Sequence, residues 1–240
     1  MLVFALFLLN QIWGAKTDSR SANDRAITLL QQMSLPQKIA QMKNCSFDVI
    51  RRFVNEKGDV NTDSLKKYFP YGVGEIGIGW DVNPEKYVRI VNNIRKYNST
   101  FPINIPPLFI GEGLHGFMAN GATVYPQAIA LGCTWDTNLL ERVFDATARE
   151  AAARGVKQLF SPVLDLAREP RFGRTEEMYS EDAYLAAMCG QAAVWGFQGR
   201  NAEPDNQHVA ATLKHFVGHG QPEGGRNTAP VNVSKYDLMN

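Results

Sequence analysis

The chain has 240 residues, 45% of them hydrophobic and 20% charged, enough apolar material for one large domain or two small ones. Its 25 Lys and Arg stand against 24 Asp and Glu. That balance leaves no basic surplus for a phosphate backbone, so nucleic acid is excluded as an expected partner. Three cysteines, an odd number without metal-like spacing, read as buried small apolar residues and not as a disulfide framework.

Residues 2–9 form an unbroken apolar run, too short to span a bilayer but matching the apolar region of a signal peptide. Gly14 and Ala15 offer small residues for cleavage, so residues 1–15 are expected to be an export signal and 16–240 the folded part. No basic residue precedes the run and Trp13 stands where a small side chain is preferred; a buried N-terminal strand is the competing reading. The expected location is therefore secreted or periplasmic, with no membrane role beyond export.

Residues 21–43 read as two short helices, the second announced by Ser34-Leu35-Pro36, with Ser as cap and Pro in the first turn. A Gly-interspersed apolar stretch at 73–78 predicts a strand. Asn83-Pro84 opens a helix to about Asn98 that carries Tyr87, Ile90, Val91 and Ile94 on one face. A short buried strand at 107–110 follows. Asp136 caps a long helix to Arg154, ended by Gly155. Residues 158–164 predict a strand, Ser180 caps a helix to about Phe197, and another strand begins at 209–213.

Strands that alternate with helices and lack a period of two predict a parallel sheet covered by helices. Glu112, Asp165 and the pair Lys214-His215 each follow a predicted strand, where a (β/α)₈ barrel or an open α/β sheet builds its site. The unit length of about 45 residues allows roughly four or five β/α units of such a barrel.

Several motifs lead nowhere. Residues 72–77 and 111–116 both fit G-x-G-x-x-G, but neither is followed by a helix whose amides face a pyrophosphate. His215 and His219 have the spacing of two ligands on a helix, yet Gly218, Gly220 and Pro222 around them forbid one. No metal or cofactor is expected. Lys214 at a strand end is a candidate Schiff-base lysine, or a donor to sugar hydroxyls beside His215. The charged segment 165–182 reads either as a solvated salt-bridge network or as a loop whose charges face a ligand.

Asp165-Leu-Ala-Arg-Glu-Pro-Arg-Phe-Gly-Arg-Thr-Glu-Glu-Met-Tyr-Ser-Glu-Asp182 resembles the signature of glycoside hydrolase family 3, written D-x-A-R-D-P-R-W-G-R-x-x-E-x-x-x-E-D. Glu112-Gly-Leu-His-Gly116 is similar to that family's D-G-x-H-G segment, Lys214-His215-Phe216 to its K-H-F, and Glu223-Gly-Gly-Arg226 to the usual sequel. The resemblance implies a secreted, retaining, exo-acting β-glycosidase of the (β/α)₈ class, a β-glucosidase or β-xylosidase relative acting on β-linked oligosaccharides or glycosides. It further implies that Glu112, Arg174, Lys214 and His215 hold the hydroxyls of the non-reducing sugar, with Asp165 orienting them from behind. A retaining mechanism needs two carboxyls about 5–5.5 Å apart. In the family these lie later than the segments matched here, so the nucleophile and acid/base are expected beyond Asn240, and this chain alone is expected to be inactive. Glu169 and Phe172 depart mildly from the signature, and Glu at 112 is the xylosidase-like choice. Two rival readings stay open: a sugar-binding remnant without chemistry, and an aldolase using Lys214.

Overall fold

The caps written in the sequence start the first helices. Ser21 Oγ accepts from the Asp24 amide at 3.1 Å and opens α1 (Ala22–Gln32); Ser34 with Gln37 forms a capping box at the head of α2 (Leu35–Gln41). The computed structural model describes residues 21–200 and 205–239, so the apolar run at 2–9 and the expected export signal lie outside the described residues. A two-residue strand β1 (Asn44–Cys45) follows, then α3 (Phe47–Ile50) and α4 (Thr62–Tyr68). Beyond them come β2 (Glu75–Gly77), α5 (Pro84–Asn98), β3 (Leu108–Gly111) and α6 (Ala128–Gly132). The remainder is α7 (Thr137–Ala153), β4 (Gln158–Leu159), α8 (Ala183–Gln198), β5 (Ala210–Ala211) and α9 (Lys235–Met239).

All five strands lie in one sheet in sequence order, β1-β2-β3-β4-β5, and every pairing is parallel. This is the α/β class that the alternation predicted, with one strand more than the apolar runs marked. Helices α7 and α8 pack on each other, and α8 packs on β5. Their interface is filled by Phe144 and Phe197, both fully buried with ring centroids 4.8 Å apart. The approach is close: a Cβ on Gly196 would lie 2.5 Å from the Glu141 carbonyl oxygen and 2.7 Å from Phe144 Cβ. Helix α8 buries Ala186, Cys189, Ala192, Ala193 and Phe197 on one face and leaves Tyr184 and Trp195 exposed on the other.

Helix α5 is tied to the sheet by a buried polar bracket. Asn98, 2% exposed, accepts from the Val73 amide at 3.0 Å and donates to the Val73 and Ile105 carbonyls at 2.8 and 2.9 Å. It thus satisfies backbone groups at the entrances of both β2 and β3, which no ladder partner reaches.

The glycine patterns have a steric origin. A Cβ on Gly111 would meet the Phe117 ring at 2.9 Å, and one on Gly116, whose φ is +114°, would meet the Thr123 carbonyl oxygen at 2.1 Å. The chain after Gly116 runs without a helix to Ala128, so no helix N-terminus faces this turn. Cys45 and Cys189 are buried as expected, while Cys133 is exposed at the C-terminal end of α6, a correction to the reading of all three as interior residues.

Candidate functional site

Three strand ends converge. Glu112 directly follows β3, and Asp165 lies beyond β4, where the β4–β5 pairing continues past the regular ladder. Val163 bridges Lys214, the Leu164 amide donates to the Lys214 carbonyl at 2.7 Å, and the Thr212 amide donates to the Ser161 carbonyl at 2.8 Å. This register sets Asp165 beside His215. The Asp165 side chain, 3% exposed, accepts on Oδ2 from both the His215 backbone amide at 3.0 Å and the His215 Nδ1–H at 2.8 Å. Asp165 therefore fixes the orientation of the imidazole through Nδ1, which leaves Nε2 on the opposite edge of the ring.

Lys214 Nζ reaches across β4 and donates to Glu112 Oε2 at 2.9 Å. The ammonium end keeps two further hydrogens, and the carboxylate keeps its second oxygen. The Lys214–His215 peptide is cis.

Arg174 comes from the charged segment between β4 and α8. The turn over Thr175–Glu177 brings Glu177 back onto it: Nε and Nη2 both donate to Glu177 at 2.7 Å. Arg174 Nη1 donates to His219 Nε2 at 3.0 Å. The Glu177 pairing, together with the fields of Glu112 and Asp165, holds the guanidinium even further above its ordinary range. Burial works against the Glu177 charge, but the Arg174 bond and nearby Lys214 and His215 outweigh it and keep the carboxyl below its ordinary value. Arg174 and Lys214 each pair with a carboxylate, Glu177 and Glu112, and His215 with Asp165, so the array presents N–H donors and carboxylate acceptors together. Such charge-assisted groups bind neutral hydroxyls strongly and with fixed direction.

The structure thus brings Glu112, Asp165, Arg174, Lys214 and His215 into one network. Two members went unread in the sequence, Glu177 and His219. The signal for Glu177 was its i,i+3 spacing from Arg174. His219 had drawn notice only as a possible metal ligand; among the described residues there is no group of three His, Cys, Asp or Glu side chains able to hold a metal ion. Elsewhere in the charged segment Arg171 pairs with Glu169 while its own side chain is 70% exposed, an ion pair of the solvated kind. A cleft of about 410 Å³ shares Asp165, Lys214 and His215 as walls, but Glu112 and Arg174 are not among its lining. Exposed Leu213, Phe216 and Val217 line it as well.

The sequence profile of the glycosyl hydrolase family 3 N-terminal domain matches residues 34–240. A β-xylosidase from Formosa agariphila is 44% identical over 143 residues, which are 57% of this chain and 20% of that protein. A periplasmic β-glucosidase from Salmonella typhimurium is 26% identical over 97% of this chain and 28% of its own length. The solved structure of a β-glucosidase from Erythrobacter marinus superposes with a TM-score of 0.83 at 34% identity, covering 92% of this chain and 29% of that one. The chain spans less than a third of the length of these relatives. With its parallel sheet, its three motifs at the strand ends and this profile match, the chain belongs to glycoside hydrolase family 3 and corresponds to its N-terminal domain.

Proposed function

We propose that this chain supplies the subsite for the non-reducing sugar in a retaining, exo-acting β-glycosidase, with β-glucoside or β-xyloside as substrate class. Glu112 and Lys214 hold hydroxyls on one side of the ring, and Arg174 and His215 hold those on the other, so that the sugar is fixed by four directed contacts. The observation that carries this reading is the convergence of these four side chains at the ends of β3, β4 and β5. In the complete barrel, further β/α units would enclose the sugar from the side of β5.

The catalytic carboxyl pair is not assigned within 1–240. Glu112 is engaged by Lys214 and Asp165 by His215, so each carboxylate already has a positioning task. Lys214 in turn is held against a carboxylate, an arrangement that suits a hydroxyl donor better than a Schiff-base amine. Residues 1–15 act as the export signal of this reading. Among the described residues no helix is long and apolar enough to cross a membrane.

The test uses the purified chain with aryl β-glucosides and aryl β-xylosides, and with D-glucose and D-xylose. The expected result is saturable monosaccharide binding, lost in Glu112→Ala, without release of the aryl group. Release of the aryl group that disappears in Glu112→Ala would overturn the assignment of chemistry outside this chain. Trapping of a carbonyl substrate on Lys214 by borohydride would favour the aldolase instead.

A further inference from the structure

We infer that His219 is a positioning residue of the sugar subsite, its Nε2 lone pair fixing Arg174 and its ring fixing His215. This rests on the reading of the site given above and names the group on which two of its four hydroxyl contacts depend.

The geometry admits one hydrogen-bond assignment. A guanidinium has donors and no acceptor, so the 3.0 Å contact from Arg174 Nη1 requires an unprotonated Nε2 on His219, with the ring proton on Nδ1. Glu177 occupies the opposite edge of the guanidinium through two bonds of 2.7 Å. Arg174 is thus clamped between an acid and a neutral imidazole, and its remaining hydrogens point where neither partner lies. The faces of the His219 ring are also taken. The His215 ring lies against it at a centroid distance of 4.1 Å and a tilt of 49°, and Phe172 meets it edge-on at 5.2 Å. Gly218, with φ +89°, makes the turn that delivers His219 to this place; a Cβ there would be strained and would press on Val231 Cγ1 at 3.2 Å.

The charged and titratable neighbours of His219 come from three elements. Arg174 and Glu177 face it from the turn before α8, Asp165 from the segment after β4, and His215 from the segment after β5. Burial, then His215 and Arg174, disfavour a charge on His219 more strongly than Asp165 and Glu177 favour it, so its proton affinity lies below the ordinary value of 6.5. Protonation would turn the acceptor into a donor aimed at a cation. Arg174 would swing away from the ring. The site therefore holds its shape while His219 is neutral and loses it as acid drives the proton on.

Two substitutions separate this role from simple packing. His219→Gln keeps an acceptor for Arg174 and cannot be charged. His219→Phe keeps a ring against His215 and Phe172 but offers no lone pair. Titrating D-xylose and D-glucose into the chain by NMR, His219→Gln is expected to bind within about threefold of the parent at neutral pH, with the acid loss of affinity flattened. His219→Phe is expected to bind about tenfold more weakly at neutral pH, the loss of one hydrogen bond to a charged group. Equal affinity in His219→Phe, or an unchanged acid limb in His219→Gln, would overturn the inference. Nitrogen shifts of the imidazoles give an independent readout: His219 must carry its proton on Nδ1 at neutral pH, and a protonated Nε2 would also overturn it. If the parent chain bound neither sugar, the sugar-site reading would fall while the tautomer still decided the Arg174 contact.

Discussion

Asp165 is the most exposed point of the account, because one buried oxygen carries two bonds to His215. In Asp165→Ala both the backbone amide and Nδ1–H of His215 lose their acceptor. Hydrogen bonds to a charged group contribute about 1.5–3 kcal/mol each. The His215 side chain is 30% exposed, so water recovers part of the loss and the lower figure applies, giving about 3 kcal/mol in total. At about 2–4 °C per kcal/mol for a chain of this size, unfolding should fall by roughly 6–12 °C. Asp165→Asn keeps an oxygen for the backbone amide but places an amide N–H or a poorer acceptor at the ring, so about half that shift is expected. Its sugar binding should suffer as severely as in Asp165→Ala, because the imidazole tautomer is no longer set. Thermal unfolding followed by circular dichroism, together with a D-xylose titration of both variants, measures the two effects separately. Both variants unfolding within about 1 °C of the parent would refute the reasoning, since the double acceptor would then contribute nothing.

Asn98→Leu should destabilise the fold by about 3–5 kcal/mol, because the Val73 amide and the Val73 and Ile105 carbonyls would be left unpaired in the interior; denaturant unfolding measures it. Ser161, fully buried with no partner for its hydroxyl among the described residues, behaves in the opposite way: Ser161→Ala should be neutral or stabilising by up to about 1 kcal/mol, and a clear loss in the same assay would show an acceptor the geometry lacks. Glu177 gives a pH prediction. Its folded carboxyl lies below the ordinary 4.5, so its contribution to stability is present above that value and is lost as pH falls through the folded one. Unfolding profiles across the acid range should show a smaller loss in Glu177→Gln than in the parent; identical slopes would contradict the Arg174 pairing.

Much of the frame was legible in residues whose chemistry is local. Ser34, Asn83 and Asp136 open the helices they were read to open, because capping is decided within three residues of the helix start. Helix α8 begins later than its reading from Ser180. Ser180 Oγ takes the Asp182 amide in a tight turn, and Asp182 Oδ1 caps the Leu185 amide at 2.7 Å, so the earlier of two good caps loses to the one adjoining the helix. Strand β1 and helices α3, α4 and α6 went unread, since two to seven residues give no periodicity to detect. The predicted strand 158–164 pairs regularly only over Gln158–Leu159; beyond it Pro162 has no amide to continue a ladder.

The site divides along the same line. Glu112, Asp165, Lys214 and His215 were visible because strand ends are fixed by the apolar runs before them, and the sheet then brings the ends together. The contacts that finish the site depend on turns. Glu177 reaches Arg174 only through the tight turn over Thr175–Glu177, and His219 reaches it only through the positive φ at Gly218. A histidine four residues from another in a glycine-rich segment carries no sign of which arginine, 45 residues earlier, it will meet.

The most direct test of the sugar subsite is chemical-shift mapping of the chain titrated with D-xylose and D-glucose. Saturable shifts are expected, centred on Glu112, Arg174, Lys214 and His215, with smaller ones at Asp165, Glu177 and His219. Shifts confined to Leu213, Phe216 and Val217, with none at Glu112, Arg174, Lys214 and His215, or no shifts at any sugar concentration, would contradict the subsite.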